Sequence, residues 1–189
     1  MPIFDISKVA LPNPVKRNGK LCYYDLIRRK DVAATPEEEV RQKLIRFLVT
    51  QLKVPASMIQ VEASLRFYGE ENLENRHRAD IVIEYTHPNG IIMPICVIEC
   101  KEPNHVLCEM DVNQVQRYSE ELLCDYFWLT NGYDSVCYKI SEKGDQYELL
   151  ESIPIYEEML EGRSVLKQEE SPPPRTPFDQ LQEHIQDNI

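Results

Sequence analysis

The sequence is missing several things, and each absence excludes a class of protein. No apolar run approaches the roughly 20 residues that a membrane helix needs, so no partnership with a membrane is expected. The six cysteines, Cys22, Cys96, Cys100, Cys108, Cys124 and Cys137, form no C-x-x-C pair, which argues against a zinc ribbon. Several sit in apolar stretches such as Ile95-Cys96-Val97-Ile98 and read as small buried thiols. No G-x-x-x-x-G-K-[ST] occurs, so the chain carries no phosphate-binding loop of an ATP-driven motor. The opening Met1-Pro2-Ile3-Phe4-Asp5 has neither a basic nor an apolar leader region, and a cytoplasmic protein is expected. Positive charge is also in deficit. A net charge of −11 is the wrong sign for gripping phosphates by bulk electrostatics.

What is present is the composition of an ordinary globular domain, 42% hydrophobic and 28% charged over 189 residues, enough for one packed core. The acidity is uneven. Residues 141–189 hold four basic and twelve acidic side chains, a balance of −8, against seventeen and twenty, a balance of −3, before them. The body can therefore still present a local basic patch. The pattern divides into an N-terminal arm over 1–22, a main domain over 23–160, and a tail over 161–189. That tail joins an acidic, proline-rich linker to an amphipathic segment that stops abruptly, as a piece of a longer protein would.

Within the main domain, Thr35-Pro36-Glu37-Glu38 announces a helix. Thr35 is the cap, Pro36 suits the first turn and Glu38 is placed to complete a capping box. Val40, Leu44, Phe47, Leu48 and Leu52 continue it at helical spacing. Strands are expected over Ile59–Phe67, Arg78–Tyr85 and Pro94–Lys101, the last two joined by the turn His87-Pro88-Asn89-Gly90. A second helix follows over Glu109–Cys124. Further strands cover Tyr126–Thr130, Val136–Ile140 and Tyr147–Ile153, and a short helix covers Tyr156–Leu160. This order predicts an α/β fold with a mixed central β-sheet flanked by helices, running αβββαβ.

The residues that carry chemistry lie on the central hairpin. With its turn centred between Pro88 and Asn89, Asp80 pairs near Val97 and is a diagonal neighbour of Glu99, roughly 7–8 Å away at the backbone. Glu99 and Lys101, two apart on one strand, leave the same face. Taken alone they read as a surface ion pair, which is worth little. With Asp80 added, two carboxylates and an ammonium converge at one sheet edge, where a divalent ion is the natural organiser. Such an ion neutralises the acids and lowers the pKa of a bound water facing a phosphate, and Lys101 then orients that water or stabilises charge on the phosphorus oxygens.

The pattern Arg78-Ala79-Asp80, eighteen intervening residues, then Glu99-Cys100-Lys101 resembles the PD-(D/E)XK nuclease superfamily. Thr35 to Gln42, Val97 to Pro103, Gln114-Val115-Gln116-Arg117-Tyr118 and Leu129-Thr130-Asn131-Gly132 follow in matching order. Over about residues 23–140 the chain is similar to the N-terminal nuclease domain of type I restriction enzyme R subunits and their stand-alone relatives. A lone E-x-K is a weak signal; the ordered set is specific. The resemblance implies a restriction-endonuclease-like core, magnesium as the ion with manganese as a substitute, and DNA as substrate. It makes Asp80 and Glu99 metal ligands with the Cys100 carbonyl as a third, Lys101 the catalytic lysine, and Gln114 and Tyr118 a supporting pair four apart on one helical face. A helix carboxylate completes the set. Glu37 falls on the apolar face beside Val40, Leu44 and Leu48 and is preferred, while Glu38 is better placed to cap. Ala79 stands where many relatives have proline.

Arg76 and Arg78, beside Asp80, and Arg28 and Arg29 are candidate DNA-binding residues, with a solvated basic loop as the ordinary alternative, favoured for the Arg28 cluster. His87 and His105 are expected in solvent. Specificity would come from restriction-modification subunits or fused domains, since no recognition module is evident. The competing expectation is a catalytically silent scaffold or nucleic-acid-binding module on the same fold.

Overall fold

Ile95 to Cys100 is buried at every position, because the strand that carries it has neighbours on both edges and a helix over each face. The computed structural model describes residues 4, 6, 8–64 and 78–168. Around that strand, β6 (Ile92–Cys100), the chain arranges α1 (Pro36–Thr50), β4 (Ile59–Ser64), β5 (Arg78–Thr86), α2 (Glu109–Leu122), β7 (Tyr126–Thr130), β8 (Ser135–Ile140), β9 (Tyr147–Leu149) and α3 (Tyr156–Leu160). The six strands form one sheet in the order β4-β5-β6-β7-β8-β9. Only β6 and β7 run parallel, since α2 carries the chain back between them. The αβββαβ order and the mixed sheet expected from the sequence are what is found.

Alternation along β6 and β7 sorts the core into two layers. Ile98, Cys96, Trp128 and Tyr126 pack with Val40, Leu44, Phe47 and Leu48 of α1. Val97, Phe127 and Leu129 pack with Val115, Tyr118 and Leu122 of α2. Burying the four α1 side chains and Trp128, each at most 3% exposed, stabilises the fold by roughly 1.5–3 kcal/mol apiece. No helix is long and apolar enough to cross a membrane among the described residues.

The β5–β6 register differs from the expected one for two reasons. The hairpin loop is centred on Asn89, with His87 N donating to Ile91 O and Gly90 at φ +86. Further along, Ile83 pairs with Cys96 but Glu84 with Pro94, so Ile95 is an extra residue on β6. Pro94 has no N–H to give the ladder, and a bulge beside it absorbs that loss. Pro94 therefore sits inside a central strand, not at its start as expected. The combined shift continues Ile81↔Ile98 to set Asp80 opposite Glu99, a closer relation than the expected diagonal.

Residues 15–33, divided in the sequence between an arm ending at 22 and the main domain from 23, form a separate antiparallel meander: β1 (Val15–Arg17), β2 (Lys20–Asp25) and β3 (Lys30–Ala33). Its first turn is Asn18-Gly19, with φ +47 and +81, as a two-residue type I′ hairpin requires. Ahead of it, Phe4 meets Trp128 and Phe47 edge-on at 5.2 and 5.6 Å, and Ile6 is 2% exposed.

Candidate functional site

Alternation continues past the apolar part of β6 and turns Glu99 toward α2, where it is 8% exposed. Its Oε1 accepts from Lys101 Nζ at 3.0 Å and from Gln114 Nε2 at 2.9 Å. Among the described residues no donor reaches Oε2. Burial and the nearby Asp80 charge push the Glu99 carboxyl up to about 7, against the pull of Lys101. Lys101 leaves the strand as its backbone N–H closes on Thr130 O at 2.8 Å. Burial draws the ammonium pKa down, but Glu99, Asp111 and Asp80 outweigh it, and the net direction is up.

Gln114 and Tyr118, one turn apart on α2, both face this group. Gln114 Oε1 stands 3.4 Å from Lys101 Nζ, and its Nε2 lies 3.4 Å from the Tyr118 hydroxyl. The sequence missed a third member of α2. Asp111 Oδ1 is 3.6 Å from Lys101 Nζ, while Oδ2 takes His105 Nε2 at 2.7 Å and Cys108 N at 3.0 Å. Burial raises the Asp111 pKa, but these hydrogen bonds prevail and hold it at about 2. His105, expected in solvent, is half-buried against that carboxylate, with its carbonyl accepting from Asn131 Nδ2. The signal was an N3 aspartate, the usual place for a capping side chain.

Asp80 is held from both sides. Cys100 N donates to Oδ2 at 2.7 Å and Arg41 Nη2 to Oδ1 at 2.6 Å. Burial nonetheless leaves its carboxyl raised, with Glu37 adding to the shift. Arg41, a residue the sequence reading passed over, also reaches Glu37 Oε1 at 2.7 Å and Glu38 Oε2 at 2.6 Å. Spacings of three and four residues put all three on one side of α1. Glu37, expected on the apolar face, is instead about half exposed (49% on its side chain), and the buried member of the pair is Glu38. The Glu37 charge nonetheless acts on both Asp80 and Glu99. Glu38 departs from expectation. Thr35 Oγ1 does accept from its backbone N–H at 3.1 Å, but its carboxylate turns inward to Arg28, Arg41 and Gln42, so the capping box is half made.

The basic candidates separate. Arg28, proposed as a DNA contact, is corrected: its side chain is 9% exposed and faces Asp25 Oδ2 at 2.7 Å, Glu62 Oε1 at 3.1 Å and the Glu38 carboxylate. A guanidinium closed in by three carboxylates is a structural tie between the meander, α1 and β4. Arg29 and Arg78 are exposed. Arg76 lies outside the described residues.

A hard divalent ion that keeps several waters asks the protein for only one or two carboxylates. Asp80 and Glu99 are oxygen donors on paired strands, both raised by burial and Glu99 further by Asp80. Each carboxylate has a cation on one oxygen only, Arg41 on Asp80 Oδ1 and Lys101 on Glu99 Oε1. Glu99 Oε2 has no donor among the described residues, so the pair has oxygen to offer such an ion. Among the described residues no three His, Cys, Asp or Glu side chains converge as a metal cage, so a fully protein-ligated site does not fit.

The family model described as the type I restriction enzyme R protein N terminus (HSDR_N) matches residues 36–154. The matched stretch contains Glu37, Arg41, Asp80, Glu99, Lys101, Asp111, Gln114 and Tyr118. No curated protein and no solved structure matches the chain significantly. Covering well over half of the sequence, and holding every residue that meets at the ends of β5 and β6, the match places this chain in the type I restriction enzyme R protein N-terminal family.

Proposed function

We propose that the chain is a magnesium-dependent deoxyribonuclease domain that hydrolyses DNA phosphodiester bonds within a restriction or defence system, with manganese as a substitute ion. The observation that carries this reading is the Glu99 carboxylate: one oxygen takes both Lys101 and Gln114, no donor among the described residues reaches the other, and the Asp80 charge acts on the group. In this reading Asp80 and Glu99 hold the ion, with the Cys100 carbonyl as a third oxygen and Glu37 adding negative charge from α1. The ion supplies Lewis acidity toward the phosphate and an activated water.

The remaining roles belong to the chain. The Lys101 ammonium is kept charged by three acids and lies 3.0 Å from Glu99, where it stabilises charge growing on the phosphoryl oxygens. Gln114 and Tyr118 fix the rotamers of Glu99 and Lys101 as an outer ring of support. Arg78, at the exposed start of β5, with Arg29 and Arg76, meets the DNA backbone. Partner restriction-modification subunits or fused domains supply sequence recognition.

A second reading, a catalytically silent scaffold on this fold, is favoured by one observation: Arg41 engages Asp80 directly. Nicking of supercoiled plasmid in magnesium or manganese separates the two. The nuclease reading expects cleavage by the parent and a loss of about 10²-fold or more in Lys101→Ala. Equal cleavage by both proteins assigns the activity to a contaminant and sinks the reading.

A further inference from the structure

Arg41 Nη2 lies 2.7 Å from Glu37 Oε1 and 2.6 Å from Asp80 Oδ1. One cationic nitrogen thus bridges a helix acid and a strand acid, on the Asp80 oxygen that the Cys100 N–H leaves free. The guanidinium is 6% exposed on its side chain, and its Nη1 holds Glu38 Oε2 at 2.6 Å. Its Nε is buried with no hydrogen-bond partner. A guanidinium fully committed to its surroundings would not leave a buried donor empty. The Asp80 contact is one of three, and losing it leaves Arg41 still paired with Glu37 and Glu38.

We propose that Arg41 is an internal counter-cation that occupies the Asp80–Glu37 vertex and is displaced from Asp80 when a divalent ion enters. The proposal rests on the reading of Asp80 and Glu99 as the ion-binding pair. Two consequences follow from charge alone. Without the ion, Arg41 keeps the part-buried Asp80 and the half-exposed Glu37 from facing each other uncompensated, and so preserves the geometry of the site. With it, entry is an exchange of one positive charge at Asp80 for two. A monovalent ion gains nothing by that exchange, so the site selects for divalent charge. Arg41 is thereby a positioning and selectivity residue, not a catalytic one.

The test is a calcium titration of the full chain, followed by thermal melting, since a ligand that binds only the folded state raises Tm. Calcium is the probe because it reports binding without turnover. Arg41→Gln is expected to reach its half-maximal Tm shift at a calcium concentration at least tenfold lower than the parent requires. Potassium chloride at matched ionic strength is expected to leave the parent unshifted, and Glu99→Gln to abolish the calcium shift. If Arg41→Gln does not fold, the double variant Glu38→Gln/Arg41→Gln also removes the buried acid that loses one of its two cations, and the same tenfold decrease is expected. A calcium midpoint in the foldable variant equal to or above the parent's overturns the role of Arg41 while leaving the ion-binding pair in place. Absence of any calcium shift in both parent and variant overturns the two together.

Discussion

Gln114 Nε2 donates to Glu99 Oε1 at 2.9 Å, so a helix amide sets the orientation of a strand carboxylate. The direction of that amide is not arbitrary. Its oxygen faces Lys101 Nζ at 3.4 Å, and only the donor end can meet an acid while the acceptor end meets an ammonium. Glutamine satisfies both, whereas a glutamate would set a second negative charge against Glu99 and a leucine would satisfy neither.

Gln114→Leu is expected to fold, because the side chain is half-buried at the rim and not part of either apolar layer. It frees Glu99 and Lys101 to choose other rotamers. Plasmid nicking in magnesium should fall by about 10–100-fold, the usual effect of removing an outer support of a metal site, with Tm within a few degrees of the parent. An unchanged nicking rate would show that Glu99 is oriented without the amide.

The pH dependence of stability follows from Glu99. Its carboxyl is held at about 7 in the folded protein, against an ordinary value of 4.5. Between those values the folded state binds more protons than the unfolded one, so stability falls as pH rises. This contribution is fully present below about 4.5 and lost by about 7, for at most about 3 kcal/mol. In chelator, the parent Tm should decline across that window and Glu99→Gln should decline less. A saturating divalent ion should flatten the parent's decline, because it replaces the proton. Parallel curves for parent and Glu99→Gln would remove Glu99 as the source.

Much of this was legible beforehand. Ile95 to Ile98, Tyr126 to Leu129 and the spacing Val40, Leu44, Leu48 announce themselves as buried strand, buried strand and helix. They carry Glu99 and Asp80 to one place by alternation alone. What escaped was set by pairs distant in sequence. Arg41 and Asp80 are 39 residues apart, and nothing in either neighbourhood names the other. Lys101 and Asp111 are joined by a loop whose path the sequence does not show. The register was misjudged because a proline inside a central strand demands a bulge, and the bulge moves every later pairing by one. The meander is different: Asn18-Gly19 is a hairpin signal in plain view, but β2 runs Leu21, Cys22, Tyr23 and Tyr24 together between Lys20 and Asp25 without alternation, so its strands lacked the period that marked the others.

Gly132 closes the turn after β7 at φ +92, a conformation that L-residues adopt at a cost. A Cβ there would also lie 3.2 Å from Ile6 Cδ1 and 3.3 Å from Val40 Cγ2, pressing the N-terminal segment away from α1. Gly132→Ala is expected to cost about 1–2 kcal/mol, a fall in Tm of roughly 3–6 °C. Calorimetry of the two proteins at one pH measures it. A fall of less than a degree would mean that the Ile6 segment moves aside freely.

Arg28 and Arg29 adjoin in sequence but have opposite surroundings, and substitution should separate them. Removing the Arg28 guanidinium leaves Asp25, 0% exposed, with an uncompensated buried charge, and leaves Glu38, 5% exposed, with Arg41 alone as its cation. Gln42 donates to both acids but carries no charge to replace it. Breaking a buried pair from one side typically costs about 3–5 kcal/mol, so Arg28→Ala should melt far below the parent. Arg29 is exposed and makes no ion pair among the described residues. Arg29→Ala should keep the parent stability within about 0.5 kcal/mol and, where Arg29 meets a phosphate, lower the slope of log affinity against log salt by about one. DNA binding measured in calcium at several salt concentrations reads that slope without turnover. A parent-like Tm for Arg28→Ala combined with a reduced salt slope would return Arg28 to the DNA interface and dissolve its role as the tie between the meander and α1.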